Sequence, residues 1–131
     1  MTAHDMALVE HLAKLCKFRL LGWREWFKEG QLDDSLVLET DGLYLDGRRE
    51  QSWNPLEPSA AMWQVFEKVF DDWGISIYRE ADGKWLVTAF PKDTSLGEFE
   101  VRADSGPRGI CEAVGLATGF VWKEPSDVVT V

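Results

Sequence analysis

The hydrophobic pattern from Asn54 to Thr118 changes period twice. Apolar residues recur at helical spacing from Met62 to Trp73, and Pro58 suits the first turn of such a helix. Three short segments with alternating apolar and polar residues follow. Helical spacing then returns from Ile110 to Ala117, after Pro107. The pattern predicts a helix, three strands and a helix.

The three strands are predicted at Ile75–Glu80, Lys84–Phe90 and Leu96–Ala103. Short connections at 81–83 and 91–95 predict an antiparallel meander. Alternation divides the side chains between two faces. The fully apolar face holds Ile75, Ile77, Trp85, Val87, Ala89, Phe99, Val101 and Ala103. The mixed face holds Tyr78, Leu86 and Phe90 together with Glu80, Glu98, Glu100 and Arg102.

An additional N-terminal helix is predicted over residues 4–21, with Gly22 as its stop. Its wide apolar stripe must cover another surface, and the part of the mixed face around Tyr78, Leu86 and Phe90 is available. The fold class expected is therefore α+β, a three-layer α/β/α sandwich on an antiparallel sheet. A dimer interface would cover the same two surfaces equally well.

The chain is expected to form a single domain, residues 1–131, around the 54–118 unit. Residues 23–53 are predicted to be an irregular or hairpin excursion. In that stretch an aromatic cluster, Trp23, Trp26 and Phe27, precedes a hairpin-turn signal at Asp41-Gly42 and a charged tip at 46–50. Residues 119–131 are predicted to be a tail that Phe120-Val121-Trp122 pins to the body.

Several segments together resemble the phage ABA sandwich domain family. They are Leu21-Gly22-Trp23 through Trp53-Asn54-Pro55, the Ala60–Lys68 helix, the Gly83-Lys84-Trp85 turn, and the helix Arg108-Gly109-Ile110-Cys111-Glu112-Ala113 with its continuation to Ala117. The resemblance covers residues 21–118 and departs from the family at Pro107-Arg108-Gly109. It implies a small phage or prophage protein with a three-layer α/β/α fold, and it implies no activity.

The same order of elements occurs in double-stranded RNA-binding domains. Those domains need basic residues at the start of the last helix to hold phosphates. Here Asp104-Ser105-Gly106-Pro107-Arg108 contains one base, so we keep the topology and expect no RNA binding.

Composition adds a strong acidic balance, with a net charge of −9 and an isoelectric point near 4.6. No basic run exceeds Arg48-Arg49, which argues against direct nucleic-acid binding. The acidity provides solubility, or it forms a surface that docks on a basic one. No stretch is long and apolar enough to span a membrane, and the acidic start is unlike a signal peptide, so the host cytoplasm is the expected location.

Candidate chemistry is sparse. His4 and His11 lack further metal ligands, and the simpler interpretation is a solvated pair. Cys111, near a helix N-terminus, would need a base nearby to act as a nucleophile, and a buried thiol is the simpler interpretation. Asp33-Asp34 and Asp71-Asp72 are adjacent acids without signs of a cleft. No cofactor or metal is predicted.

We therefore expect a non-enzymatic protein that acts through protein–protein interaction, as a monomer or homodimer. It would inhibit a host defence system or a nucleic-acid-processing complex by binding a host protein with a basic surface. The residues expected to form the acidic interaction surface are Asp71, Asp72, Glu80, Asp82, Glu98 and Glu100.

Two alternatives remain open. The first is a binder of a small ligand or signalling nucleotide that uses the aromatic loop as a lid, and a pocket lined by Trp23, Trp26 or Trp53 would favour it. The second is an enzyme of unrecognised type, which would require His11 or Cys111 in a cleft with a polar partner.

Overall fold

The computed structural model describes residues 1–28, 30–39, 50–93 and 97–122, and the side chains of all of these except residues 26–28, 31 and 32. These residues form three helices and two three-stranded antiparallel sheets, which confirms the α+β class. The elements are α1 (Ala3–Leu15), β1 (Arg19–Lys28), β2 (Gln31–Glu39), β3 (Glu50–Trp53), α2 (Ala60–Val69), β4 (Trp73–Arg79), β5 (Trp85–Pro91), β6 (Phe99–Ala103) and α3 (Gly106–Ala117).

The predicted antiparallel meander is the second sheet, in the order β4-β5-β6. Ile77 pairs with Val87, and Val87 pairs with Val101, so these three side chains share the face that was predicted to be apolar. On this face Val87 and Ala89 are fully buried, and α3 packs against β5 and β6. Alternation thus identified the inner face of this sheet correctly.

Helix α1 ends at Leu15, earlier than the predicted 21. Lys17 adopts the left-handed conformation, with φ of 62°. The backbone N–H of Phe18 donates to the carbonyl of Ala13, and that of Lys17 donates to the carbonyl of Lys14. These two bonds form a Schellman motif, which ends a helix and reverses the chain.

The chain after this motif forms a regular sheet in the order β1-β2-β3, where an irregular or hairpin excursion was predicted, and β1 and β2 form a hairpin within it. Gly22 is not a helix stop: it lies in β1 with φ of 131°, beside a register shift that leaves Leu21 without a pairing partner. Leu36 of β2 pairs with Trp53 of β3. The predicted turn at Asp41-Gly42 lies outside the described residues, as do most of the charged tip and the end of the tail.

The position of α1 differs from the prediction. It contacts α3, α2, β1 and β2, and its Leu8 and Leu12 are buried in the core there. It does not lie over Tyr78 and Phe90, which are 64% and 39% exposed. The predicted three-layer order is therefore not confirmed, because α1 covers the first sheet and α3 instead of the outer face of the second sheet.

Two further contacts hold the N-terminal helix in place. The ring of Phe120 lies 5.8 Å from that of His4 and 5.4 Å from that of His11, so the start of the tail contacts α1. Arg108 of α3 forms an ion pair with Asp5 of α1. Among the helices that the structure describes, none has the length and apolarity needed to cross a membrane.

Candidate functional site

The outer face of the second sheet is a candidate surface for an interaction, and we call it the outer sheet surface. Three cross-strand rows build it. Tyr78, Leu86 and Arg102 form one row, Ser76, Thr88 and Glu100 form the next, and Gly74 and Phe90 form the last. No described helix covers it. The exposed aromatic rings of Tyr78 and Phe90 are the type of side chain that anchors protein interfaces.

Phe90 is held in position by the residue opposite. A Cβ atom at Gly74 would lie 2.3 Å from Cε2 of Phe90, so the ring covers the bare backbone of that glycine. This close approach requires glycine at position 74. The outer sheet surface therefore has one aromatic ring that packs directly on backbone.

The charges on this surface are unevenly compensated. Glu80 and Arg102 form a two-pronged ion pair, with Nε to Oε1 at 2.7 Å and Nη2 to Oε2 at 2.9 Å. Glu98 and Glu100 are exposed, and neither has an ion-pair partner among the residues that the structure describes. The start of β6 at Glu100, with Glu98 just before the strand, is thus the negative part of this surface.

The other predicted interaction residues lie elsewhere. The side chain of Asp82 accepts a hydrogen bond from the backbone N–H of Lys84 in the turn after β4. Asp71 and Asp72 are exposed at the opposite end of β4, and seven strand residues separate the two ends by about 20 Å. The six carboxylates therefore do not form one cluster, and only Glu98 and Glu100 lie uncompensated beside the exposed aromatic rings.

A second candidate site is a half-open cavity of about 520 Å³, which we call the Trp53 cavity. Parts of β2, β3, the connection after β3 and the first turn of α2 form its walls. Its lining residues are Asp33, Asp34, Ser35, Gln51, Ser52, Trp53, Asn54, Glu57, Ser59, Ala60, Ala61 and Gln64. Its volume lies within the range typical of small-molecule sites.

Hydrogen bonds fix the inner wall of this cavity. The indole N–H of Trp53 donates to Oε1 of Gln64 at 2.8 Å, and the indole itself is buried. The Asn54 side chain accepts from the backbone N–H of Leu56, and the Ser59 hydroxyl lies 3.1 Å from the Asn54 carbonyl oxygen. The connection between β3 and α2 is therefore tied into a defined shape.

The described residues of the cavity lining include three carboxylates and no lysine, arginine or histidine. Oδ1 of Asp33 accepts a hydrogen bond from the backbone N–H of Asp34. The α-amino group of Met1 lies 3.7 Å from Oδ1 of Asp33 and 3.9 Å from Oδ2 of Asp34. This side of the cavity is therefore strongly negative, and a positive group already lies next to it.

Of the three tryptophans proposed for a ligand pocket, Trp53 lines one. Trp23 instead donates from Nε1 to Oε1 of Glu10 on α1 at 2.6 Å, and the side chain of Trp26 is outside the described set. Asp33, Asp34 and Gln64 were missed as pocket residues. Nothing in their spacing along the chain relates them, because strand pairing and the start of α2 bring them together.

The candidate nucleophile and base are not arranged for catalysis. Cys111 is fully buried, and burial raises the pKa of its thiol far above the ordinary value. Its Sγ lies 3.2 Å from the Pro55 carbonyl oxygen, which places it in the core. His11 contacts the Thr118 hydroxyl at 2.8 Å, and burial lowers its pKa. The two residues serve packing between elements, and neither lines a cavity described above.

Three basic side chains meet at the start of α3, where the sequence indicated one. Lys84, Arg102 and Arg108 line a shallow depression there. Each already forms an ion pair, with Asp104, Glu80 and Asp5 respectively. The carboxylates cancel the charge that phosphate binding would need. Within the described part of the chain, no group of three or more histidine, cysteine, aspartate or glutamate residues could hold a metal ion.

These features define a small α+β protein with an antiparallel sheet face that none of the described helices covers and a negatively charged cavity. Comparison with known proteins adds nothing further: no family model, no curated protein and no solved structure matches the chain.

Proposed function

We propose that this protein acts without catalysis, by binding another protein through the outer sheet surface. The observation that carries the proposal is the exposure of Tyr78 and Phe90 on a sheet face that no described element covers. An apolar surface surrounded by polar residues is typical of a protein-binding site on a soluble protein. A bound partner would supply the third layer that the predicted α/β/α order assigned to α1.

The charge of this surface favours a basic partner. Glu98 and Glu100 lie beside the aromatic rings without compensating cations in the described residues, and the whole chain carries a net charge of −9. Complementary charge raises the rate of association and excludes acidic competitors. The partner class that follows is a protein with a basic groove, such as a nucleic-acid-processing or defence complex of the host.

The phage context of the proposal is taken from the expected resemblance to the phage ABA sandwich domain family. A phage protein with an acidic binding face would reach its target in the host cytoplasm and block a basic, nucleic-acid-binding surface. The phage origin, the inhibitory role and the cytoplasmic location belong to the proposal.

A capture experiment from bacterial host lysate tests it. The tagged protein is incubated at about 50 mM and about 500 mM salt, and retained proteins are identified by mass spectrometry, because exposed charge pairs weaken at high salt. The test variant is Glu98→Lys/Glu100→Lys. The control variant is Glu25→Lys/Glu67→Lys, which changes two exposed carboxylates on β1 and α2. Each Glu→Lys change adds two positive charges, so both variants carry −5 instead of −9.

We expect one partner with a basic surface to be retained in a one-to-one ratio at low salt by the wild type and by the control. The Glu98→Lys/Glu100→Lys variant should lose it, and Tyr78→Ser should weaken binding at least tenfold, the loss typical of an interface anchor. Equal retention by the test and control variants would rule out the outer sheet surface as the binding site.

A further inference from the structure

We propose that the Trp53 cavity is a separate binding site for small organic cations that carry two or more primary amines. This inference does not depend on the proposed function, because the cavity is built by β2, β3 and the start of α2, and the outer sheet surface by β4, β5 and β6. It also gives a specific class to the small-ligand alternative, and it excludes the signalling nucleotide.

The volume of the cavity and the hydrogen bonds in its wall are those of a preformed binding site. About 520 Å³ is ample for a molecule of ten to twenty non-hydrogen atoms. The wall is rigid, because Trp53 is buried and hydrogen-bonded to Gln64, and because Asn54 and Ser59 tie the connection before α2. A site with a fixed wall loses little conformational entropy when a ligand enters.

The charge of the lining selects the ligand. Asp33 and Asp34 contribute two adjacent carboxylates, and no lysine, arginine or histidine is among the described residues that line the cavity. A phosphate group needs lysine, arginine or clustered backbone donors, and here it would meet like charges instead. An ammonium group meets acceptors on several sides.

The local geometry agrees with an ammonium ligand. The α-amino group of Met1 lies 3.7 Å from Asp33 and 3.9 Å from Asp34, close enough for charge attraction but beyond hydrogen-bond distance. Both carboxylates therefore have acceptor capacity left. Ser35, Gln51 and Ser52, which also line the cavity, are neutral and polar.

Calorimetric titration of the intact protein with spermidine tests the inference, at about 50 mM salt where charge interactions are only partly screened. The test variant is Asp33→Asn/Asp34→Asn. The control is Asp71→Asn/Asp72→Asn, an adjacent pair of exposed aspartates outside the cavity. Both variants remove two negative charges, so they change the long-range field of the protein by the same amount.

We expect spermidine to bind one site on the wild type, with at least a tenfold loss of affinity in Asp33→Asn/Asp34→Asn and less than a twofold loss in the control. Sucrose and AMP, a neutral and an anionic molecule of suitable size, should not bind. Equal losses in the two variants would show diffuse attraction to an acidic protein, and they would overturn the site. Binding of sucrose or AMP without spermidine would overturn the ligand class. Because no partner protein is present, neither result bears on the outer sheet surface.

Discussion

At the scale of single residues, a two-pronged ion pair joins α1 to α3. Nη1 and Nη2 of Arg108 donate to the two carboxylate oxygens of Asp5 at 2.7 and 2.8 Å. This hydrogen bonding lowers the pKa of Asp5 from the ordinary 3.8 to about 2, against the opposing effect of burial. A two-pronged pair of this kind fixes orientation as well as charge. It therefore sets how α1 lies on α3.

Asp5→Asn should lower the free energy of unfolding by about 1–3 kcal/mol at neutral pH, because the Arg108 guanidinium loses its two-pronged carboxylate partner and keeps only the longer contact, 3.7 Å, with Glu112. The pKa of Asp5 is depressed in the folded state, so its contribution is complete above the unfolded value of 3.8. It is lost as pH falls through about 2. Urea denaturation followed by tryptophan fluorescence should therefore show a difference between wild type and variant that shrinks from pH 4 downward.

The pair between Lys84 and Asp104 provides the control for this prediction. Both side chains are largely solvent-exposed, and exposed pairs contribute little to stability. Asp104→Asn should leave the unfolding midpoint unchanged at every pH. A constant difference between wild type and Asp5→Asn down to pH 2 would show that the variant acts through packing instead of charge.

At the scale of elements, α3 is the central helix, and two of its glycines allow its neighbours to approach closely. A Cβ atom at Gly109 would lie 2.6 Å from Cγ2 of Val87 on β5. One at Gly115 would lie 2.7 Å from Cδ1 of Leu8 on α1. The helix thus contacts the second sheet and α1 at van der Waals distance. Gly106, at its first position, has 3.9 Å of clearance to Trp85.

Helix propensity predicts that alanine at these glycines raises the free energy of unfolding, whereas close packing should lower it at Gly109 and Gly115. Propensity alone favours alanine over glycine by about 1 kcal/mol inside a helix. Overpacking should instead make Gly109→Ala lose about 1–3 kcal/mol of unfolding free energy, because the branched Val87 side chain is stiff. Gly115→Ala should lose less, because Cδ1 of Leu8 is the mobile end of its side chain. Gly106→Ala is the matched control and should lose nothing in the same urea titration. Equal stability of Gly109→Ala and Gly106→Ala would contradict the close approach.

Hydrophobic periodicity was sufficient to predict those strands that are joined by turns with a recognisable turn sequence. The meander β4-β5-β6 follows from alternation and from the turn at Gly83, whose φ is 88°. The boundary between α1 and β1 could not be predicted, because a lysine at position 17 gives no sign of a left-handed conformation, while Leu20 and Leu21 continue a helical spacing. Because that spacing continues to Leu21, Gly22 was wrongly predicted to end the helix. The Trp53 cavity depends on strand pairing between distant segments, which no local pattern encodes.

At the scale of the whole molecule, the position of α1 decides whether the outer sheet surface is covered by the described part of the chain. The sequence showed two apolar surfaces that each needed a cover, and we expected one to cover the other. In the structure α1 is covered by α3 and the first sheet, whereas Tyr78 and Phe90 are exposed. Within the described residues this face has no cover, and under the proposed function a different protein or a second copy of the chain would supply one.

Charge repulsion disfavours a second copy of the chain on the outer sheet surface relative to a basic partner protein. We therefore expect the isolated protein to be a monomer. Two outer sheet surfaces in contact would bring Glu98 and Glu100 of both copies together, and each chain carries a charge of −9. Sedimentation equilibrium at about 50 mM salt, where the screening length exceeds 10 Å, should give the monomer mass of 14.9 kDa. Any association should increase with salt and be reduced by Tyr78→Ser. A dimer at low salt that Tyr78→Ser dissociates would show that a second copy supplies the missing layer, and the proposed basic partner would then need a different surface.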